Sequence, residues 1–85
     1  MSTQTQNYTV NDLGKVVQLA REQAVLGVYN ESLSNFKIGL TLIQSRSKQI
    51  NDDFLKEKWR YLEAQIKSEI SGVSEIVKVG NTFKV

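Results

Sequence analysis

Apolar residues recur every three or four positions in three segments of the chain, the spacing that places them on one face of an α-helix. No segment alternates apolar and polar residues for long, and no Asn-Gly or Asp-Gly pair separates two apolar runs, so strand and hairpin patterns are missing. Proline is absent, which favours long uninterrupted helices. The pattern therefore predicts three helices and an all-α fold.

The first predicted helix has an apolar face broad enough to touch two neighbouring helices, and it ends at a glycine. Its apolar face consists of Leu13, Val17, Ala20 and Ala24. Asn11 or Asp12 is the candidate N-cap. Ala20 and Ala24 lie one turn apart, and their small side chains allow a neighbouring helix to come close. Gly27 accepts the positive φ that ends a helix, so we expect the chain to reverse there.

The second predicted helix begins after this glycine, with Asn30 as its expected N-cap. Its core face consists of Leu33, Phe36, Leu40 and Ile43. We expect Tyr29 and Phe36 to fill the space between the first two helices. Ser32 and Gly39 lie beside this face and are small, which suits close approach to the first helix. The two segments are therefore predicted to form a close-packed antiparallel hairpin.

The third predicted helix is the longest, running from Asp52 to Val79 after a connection at residues 45–52. Asn51, Asp52 or Asp53 is expected to cap it. Its apolar face consists of Leu55, Trp59, Leu62, Ile66, Ile70, Val73 and Val77.

One small domain is the organisation that 85 residues allow. Short connections predict an antiparallel three-helix bundle, up-down-up, over residues 11–79. Residues 1–10 are expected to form a disordered tail, and residues 80–85 the start of a linker. The expected structural anchors are Ala20, Ala24, Gly27, Tyr29, Phe36, Leu40, Trp59, Leu62 and Ile66.

Composition argues against catalysis within these residues. Cysteine and histidine are absent, which removes disulfides, thiolate metal sites and the commonest general base. No phosphate-binding loop is present, so we expect no cofactor and no metal. A net charge of +2 does not indicate a nucleic-acid partner, and no apolar run is long enough to span a membrane. The polar N-terminus lacks a secretory signal, which favours a cytoplasmic or nuclear protein.

Two stretches resemble the N-terminal segment of katanin catalytic subunits. LAREQAVLGVYN, at residues 19–30, is similar to the family's opening run, and FLKEKW, at residues 54–59, is similar to its lysine-tryptophan segment. Glu69 falls where the family's third helix carries a glutamate. The sequence departs from the family at Gln18, where lysine is usual, at Gln23, where tyrosine is frequent, and at Ser32, where a small apolar residue is frequent. The glycine, tyrosine and small-residue spacing also occurs in tetratricopeptide repeats, but a lone repeat lacks the neighbours it needs for stacking.

The resemblance implies a microtubule-interacting-and-trafficking (MIT) domain, which is a three-helix bundle. In the family this domain lies ahead of a linker and a AAA ATPase domain that severs microtubules. The implied partners are tubulin and the C-terminal region of katanin's regulatory subunit. The expected protein is therefore a non-catalytic tethering domain, monomeric in isolation and associated with microtubules in the cytoplasm, at the spindle or centrosome.

Basic residues cluster around the second connection and the front of the third helix. They are Arg46, Lys48, Lys56, Lys58, Arg60 and Lys67. One hypothesis is a patch for the acidic surface of a microtubule. The alternative is an ordinary solvated face on which Glu57 and Glu63 pair nearby basic residues. Arg21 and Glu22 are expected on the solvent side of the first helix, in local charge pairs.

Some apolar residues lie off the predicted core faces. Phe54 and Tyr61 form a pair on the third helix with Lys58 between them, and an apolar pair beside basic residues is a candidate docking site. Phe54 has the alternative role of stapling the helix start, so Tyr61 is the better candidate for a partner contact. Ile38 and Leu42 are expected to face the third helix as part of the core. Trp59 is expected to be a core anchor rather than a partner contact.

Two other functions remain open at this point. An MIT domain of a trafficking protein would bind helical C-terminal motifs of ESCRT-III filament proteins in a groove between the second and third helices. A structural helical domain would instead self-associate.

Overall fold

Three α-helices make up the described part of the chain, which in this computed structural model is residues 10–83. The helices are α1 (Val10–Val25), α2 (Tyr29–Ser47) and α3 (Asp53–Phe83). α2 packs against both α1 and α3, whereas α1 and α3 come close to each other at only a few positions. The prediction of an all-α, up-down-up three-helix bundle is confirmed, since residues 10–83 contain no strand.

The reversal between α1 and α2 is built around Gly27, whose φ is 83°. The N–H of Gly27 donates to the carbonyl of Ala24 at 3.2 Å, and the N–H of Val28 donates to that of Gln23 at 2.9 Å. This pair of bonds is a Schellman motif, which satisfies the last carbonyls of α1. A side chain at Gly27 would be strained at this φ, so the glycine fixes where the hairpin turns.

Two predicted N-caps are wrong. α2 begins at Tyr29 after Val28, which makes no side-chain cap, and Asn30 lies within the first turn. The helix starts early because Val28 leaves the turn with its carbonyl already accepting the N–H of Ser32 at 3.1 Å. α1 begins at Val10, so Asn11 and Asp12 also lie inside a first turn. Asp12 favours that helix there by placing a negative charge near the N-terminus.

The start of α3 is capped by one of the three candidates, Asp52. Its Oδ1 accepts the N–H groups of Phe54 at 2.8 Å and Leu55 at 3.1 Å. Its carbonyl accepts the first intrahelical bond, from Lys56 at 2.9 Å. Because α2 continues to Ser47, the connection is shorter than predicted and occupies residues 48–52.

At its other end α3 extends beyond the predicted boundary at Val79 and reaches Phe83. Gly80 does not end the helix, since it lacks the positive φ that Gly27 has at the end of α1. Residues 80–83 are therefore helical. Of the tails predicted at residues 1–10 and 80–85, residues 1–9 and 84–85 lie outside the described residues.

The core lies along α2, where it meets both neighbours. Its buried apolar residues are Leu13, Val17, Ala20, Phe36, Ile43, Ile66 and Val73. Partly buried residues packed against them are Ala24, Tyr29, Leu33, Leu40, Leu42, Trp59, Leu62 and Ile70.

Close contact between α1 and α2 depends on small residues. A Cβ added to Gly39 would lie 2.9 Å from Cγ2 of Val17, so the missing side chain is what allows this approach. Ser32 is fully buried, and its Oγ donates to the carbonyl of Ala20 at 2.7 Å. Asn35 donates to the Gln23 side chain at 2.8 Å. The hairpin is therefore both close-packed and hydrogen-bonded across its interface.

Candidate functional site

An open groove lies between α1 and α3, with a volume of about 410 Å³. It is lined by Leu13, Gly14, Val17, Gln18, Arg21, Trp59 and Leu62. α1 and α3 both pack against α2 but make few contacts with each other. Apolar side chains from both helices therefore line the space between them. Gly14 adds no side chain, and nothing lies within 4 Å of where its Cβ would be. The groove is thus an apolar concave surface of the kind that accepts a partner's apolar side chains.

Arg21 and Glu69 bridge α1 and α3. Nε of Arg21 donates to Oε1 of Glu69 at 2.8 Å, and Nη2 donates to Oε2 at 2.7 Å. The carboxylate's hydrogen bonds raise the pKa of Arg21 above its ordinary value, while partial burial acts in the opposite direction. The arginine and glutamate side chains are 46% and 28% exposed, so water reaches this bidentate ion pair. Hereafter it is called the α1/α3 bridge.

A second cavity of about 430 Å³ adjoins the α1/α3 bridge. It is lined by Arg21, Tyr61, Ala64, Gln65, Ser68 and Glu69. Arg21 therefore lines both cavities, whereas Glu69 lines only this one.

Two exposed aromatic rings lie near the start of α3. Phe54 is 68% exposed and Tyr61 is 74% exposed. Nζ of Lys58 lies 4.7 Å from the centroid of the Phe54 ring, which is within cation–π range. Phe54, Lys58 and Tyr61 also line one shallow cavity with Glu57. This places the predicted apolar pair and its lysine together on the surface.

The predicted basic residues divide into two groups. Arg60 pairs with Glu57 at 2.7 Å and Lys67 pairs with Glu63 at 3.2 Å. Glu63 also accepts a hydrogen bond from Gln44 at 3.1 Å, and the bonds from Gln44 and Lys67 lower the pKa of Glu63. The remaining basic residues are exposed or partly exposed and make no ion pair within the described residues: Arg46, Lys48, Lys56 and Lys58. They surround the end of the bundle where α2 stops and α3 begins.

The expected structural anchors differ in burial. Ala20, Phe36 and Ile66 are buried, and Gly27 forms the turn. The partly buried anchors are Ala24, Tyr29, Leu40, Trp59 and Leu62. Trp59 belongs to the core and to the groove at once, because it packs on the buried cluster and lines the α1/α3 space.

Ile38 and Leu42 were both predicted to lie in the core and to face α3. Leu42 packs against the core, but it follows Gly39 by three residues and Asn35 by seven, on the side of α2 that contacts α1. Ile38 is partly exposed and lies outside the core cluster.

The groove and the α1/α3 bridge were not predicted from the sequence. Arg21 was expected in a local charge pair, but its partner is 48 positions away. Arg21 lies in a stretch that resembles katanin, and Glu69 falls where the family's third helix carries a glutamate, which was the available hint. Their pairing depends on how α1 lies along α3, and this offset is not visible in a periodic pattern.

The family model described as katanin p60 subunit A1, MIT domain, matches residues 14–76. The chain belongs to this family. The matched span runs from the first turns of α1 through α2 to Ile76 in α3, so it contains the α1/α3 bridge and, apart from Leu13, the buried core and the groove lining. The resemblance to katanin is therefore confirmed, and the katanin MIT domain is a protein-interaction domain without catalytic machinery. None of the helices within residues 10–83 is long and apolar enough to cross a membrane.

Proposed function

We propose that this katanin MIT domain is a non-catalytic adaptor that tethers a microtubule-severing ATPase to tubulin and to its regulatory subunit. The observation that carries the proposal is the open apolar groove between α1 and α3, in a bundle whose α1/α2 interface is tightly closed. A small domain that leaves part of its apolar surface uncovered has a surface available for a partner.

The groove is the proposed site for the C-terminal region of the regulatory subunit. Val17, Trp59 and Leu62 offer apolar contacts from two helices, and a partner helix is a suitable occupant because it presents apolar residues along one side. Trp59 is the expected centre of this contact, since tryptophan in a concave site contributes strongly to binding.

The basic end of the bundle is the proposed site for tubulin. Arg46, Lys48, Lys56 and Lys58 lack ion-pair partners among the described residues, so their charge is available to an acidic polymer. Arg60 and Lys67 contribute less to this proposal, because Glu57 and Glu63 neutralise them. Tyr61 lies beside Lys58 and would add an apolar contact.

Tethering is the proposed mechanism. Holding a AAA ATPase domain near its polymer raises its effective concentration there without new chemistry. The protein would accordingly act in the cytoplasm on microtubules, at the spindle or centrosome, and the isolated domain would be monomeric.

Microtubule co-sedimentation of two charge-reversal variants tests the tubulin site. Lys56→Glu/Lys58→Glu is expected to lose binding, because it reverses charge at the basic end. Lys15→Glu/Lys37→Glu is the matched control, since it makes the same change in net charge at exposed lysines elsewhere and is expected to keep binding. Circular dichroism confirms that both variants fold. Equal binding by both variants would contradict the basic-end site. Equal loss of binding by both would mean that the net charge of the domain, and not this end of the bundle, determines binding.

A titration monitored by nuclear magnetic resonance tests the groove. The regulatory subunit's C-terminal region is expected to shift resonances of Val17, Trp59 and Leu62 at micromolar concentration. Shifts confined to α2 and α3 on adding ESCRT-III C-terminal peptides would instead favour a trafficking MIT domain. Light scattering that shows a concentration-dependent dimer would favour the self-associating alternative.

A further inference from the structure

Arg21 is the charged residue in the lining of the apolar groove. The other residues that line it are apolar, glycine or an amide: Leu13, Gly14, Val17, Gln18, Trp59 and Leu62. No carboxylate is among them. An occupant that lies in this groove therefore meets one cation against an apolar floor.

The charge on Arg21 is held in place by Glu69, which lines the neighbouring cavity rather than the groove. Two parallel hydrogen bonds, at 2.8 Å and 2.7 Å, fix the plane of the guanidinium. Both side chains keep contact with water, with 46% and 28% of their surface exposed. Because water reaches both side chains, another carboxylate can approach Arg21 and compete with Glu69.

A helix bound in the groove changes how strongly Arg21 interacts with Glu69 and with a carboxylate of that helix. An apolar helix that covers Trp59 and Val17 excludes water from one side of Arg21, and charge interactions become stronger as water is excluded. A carboxylate on that helix would be costly to bury without a cation. The planar guanidinium of Arg21 can form with a carboxylate of the partner helix the same pair of hydrogen bonds that it forms with Glu69.

We propose that Arg21 determines the specificity of the α1/α3 groove by exchanging Glu69 for a carboxylate on the apolar face of the partner helix. In this arrangement Glu69 is an internal competitor that holds Arg21 in position while the groove is empty. The preferred occupant is then an apolar helix that carries an aspartate or glutamate near Arg21. The inference rests on the proposed function, in which a partner helix from the regulatory subunit occupies the groove.

Two single substitutions test the exchange, because they break the same ion pair with opposite expected effects on binding. Glu69→Gln frees Arg21 from its competitor and is expected to tighten binding about threefold. Arg21→Gln removes the cation and is expected to weaken binding about tenfold or more. The probe is the purified C-terminal region of the regulatory subunit, and its affinity is measured by isothermal titration calorimetry. Both variants are expected to lose a similar small amount of thermal stability.

Matched controls separate this exchange from a change in overall charge. Glu31→Gln removes an exposed carboxylate from α2, away from the groove, and Lys15→Gln removes an exposed cation from α1. Both are expected to leave the affinity within about twofold of the unmodified protein.

The outcomes are distinguishable. Weaker binding by both Glu69→Gln and Arg21→Gln would overturn the exchange and make the pair a structural support, with the groove still the binding site. Unchanged affinity in Arg21→Gln would also overturn it. Absence of binding by the unmodified domain would contradict the proposed function itself, and the inference with it.

Discussion

α1 meets α2 at close range through a glycine, a serine and an alanine, whereas it faces α3 across a groove bridged by an exposed ion pair. At the first interface the space for a Cβ on Gly39 is already filled by Val17, and the Ser32 hydroxyl bonds the Ala20 carbonyl out of contact with water. At the second interface Trp59 and other apolar residues line open space. One helix thus contributes to a closed contact with α2 and to an open groove, which is the proposed partner site.

The difference follows from the size of the residues on each face. Small residues let two helix backbones approach, and the gain from dense packing then holds them together. Between α1 and α3, side chains such as Trp59, Leu62 and Arg21 line the space without filling it. The polar contacts differ in the same way. The buried hydroxyl of Ser32 does not compete with water for its acceptor, whereas the Arg21–Glu69 ion pair is reached by water.

The largest expected effect separates the two kinds of apolar residue. Phe36→Ala is expected to lower the free energy of unfolding by about 3–5 kcal/mol, because Phe36 is buried in the core. Trp59→Ala is expected to cost less, about 1–2 kcal/mol, because Trp59 is partly exposed above the groove. Urea denaturation measures both. Equal losses would mean that the groove is closed in solution.

Glycine-to-alanine substitutions compare the close interface with an open surface. Gly72→Ala is expected to stabilise the domain by up to about 1 kcal/mol, because alanine favours a helix and nothing lies within 4 Å of the new Cβ. Gly39→Ala gains the same helix propensity but forces Val17 to move, so we expect a net loss of about 1 kcal/mol. Thermal denaturation measures the difference in sign. Stabilisation by both would show that the α1/α2 contact is looser than the structure indicates.

Ser32→Ala tests the buried hydrogen bond at the close interface. We expect it to lower the free energy of unfolding by about 1 kcal/mol, because the bond to the Ala20 carbonyl is lost. Ser34→Ala is the control, since Ser34 is exposed on the same helix and its substitution is expected to change little. Chemical denaturation of both variants measures the effect. If the two differ by nothing measurable, the hydroxyl contributes no stability.

The α1/α3 bridge is expected to be weaker and more sensitive to salt than this buried bond. Arg21→Gln should lower the free energy of unfolding by less than about 1 kcal/mol, because both partners are exposed. Raising sodium chloride from about 0.1 M to about 1 M should reduce that loss by screening, while the loss in Ser32→Ala stays constant. Denaturation at both salt concentrations measures this. A loss that is independent of salt would indicate a buried bridge.

The smallest expected effect concerns pH and the α2/α3 interface. Gln44 and Lys67 lower the pKa of Glu63 below its ordinary value of 4.5, so the folded state binds this proton more weakly than the unfolded state. The resulting stabilisation is present above the ordinary value and is lost as pH falls through the lowered one. Between about pH 6 and about pH 3, Glu63→Gln should therefore lose less thermal stability than the unmodified protein. Gln44→Ala, which removes the first cause of the shift, should have a partial effect of the same sign, and an unchanged pH dependence in both would contradict this assignment.

Much of the bundle follows from local patterns. Leu13, Val17 and Ala20 follow one another at spacings of four and three residues, which places them on the same face, and that face is buried. Gly27 ends α1 because a residue without a Cβ tolerates its φ, a property of that position alone. The helix starts were harder to predict: Asn30 has the chemistry of an N-cap, but the turn at Gly27 brings the chain into α2 before Asn30 is reached.

The candidate site was predicted only in its parts. Tyr61 and Lys58 were expected at a surface and are found together there, while Arg60 and Lys67, placed in the same basic set, are held by glutamates three and four positions away. Local ion pairing therefore holds for Arg60 and Lys67, and the microtubule patch stays a prediction for the other four basic residues. The groove had no counterpart in the sequence, because nothing in a helical period states how far apart two helices lie.

The amino-acid sequence by itself determined that this chain forms three helices, which faces they bury, where the first turn falls and which family the chain resembles. These properties depend on residues that are a few positions apart in the sequence, or on short contiguous sequence motifs. The tertiary structure decided that α1 closes on α2 but not on α3, and that Arg21 meets Glu69. Those outcomes depend on the distance and offset between elements far apart in sequence, which packing of the whole core sets at once.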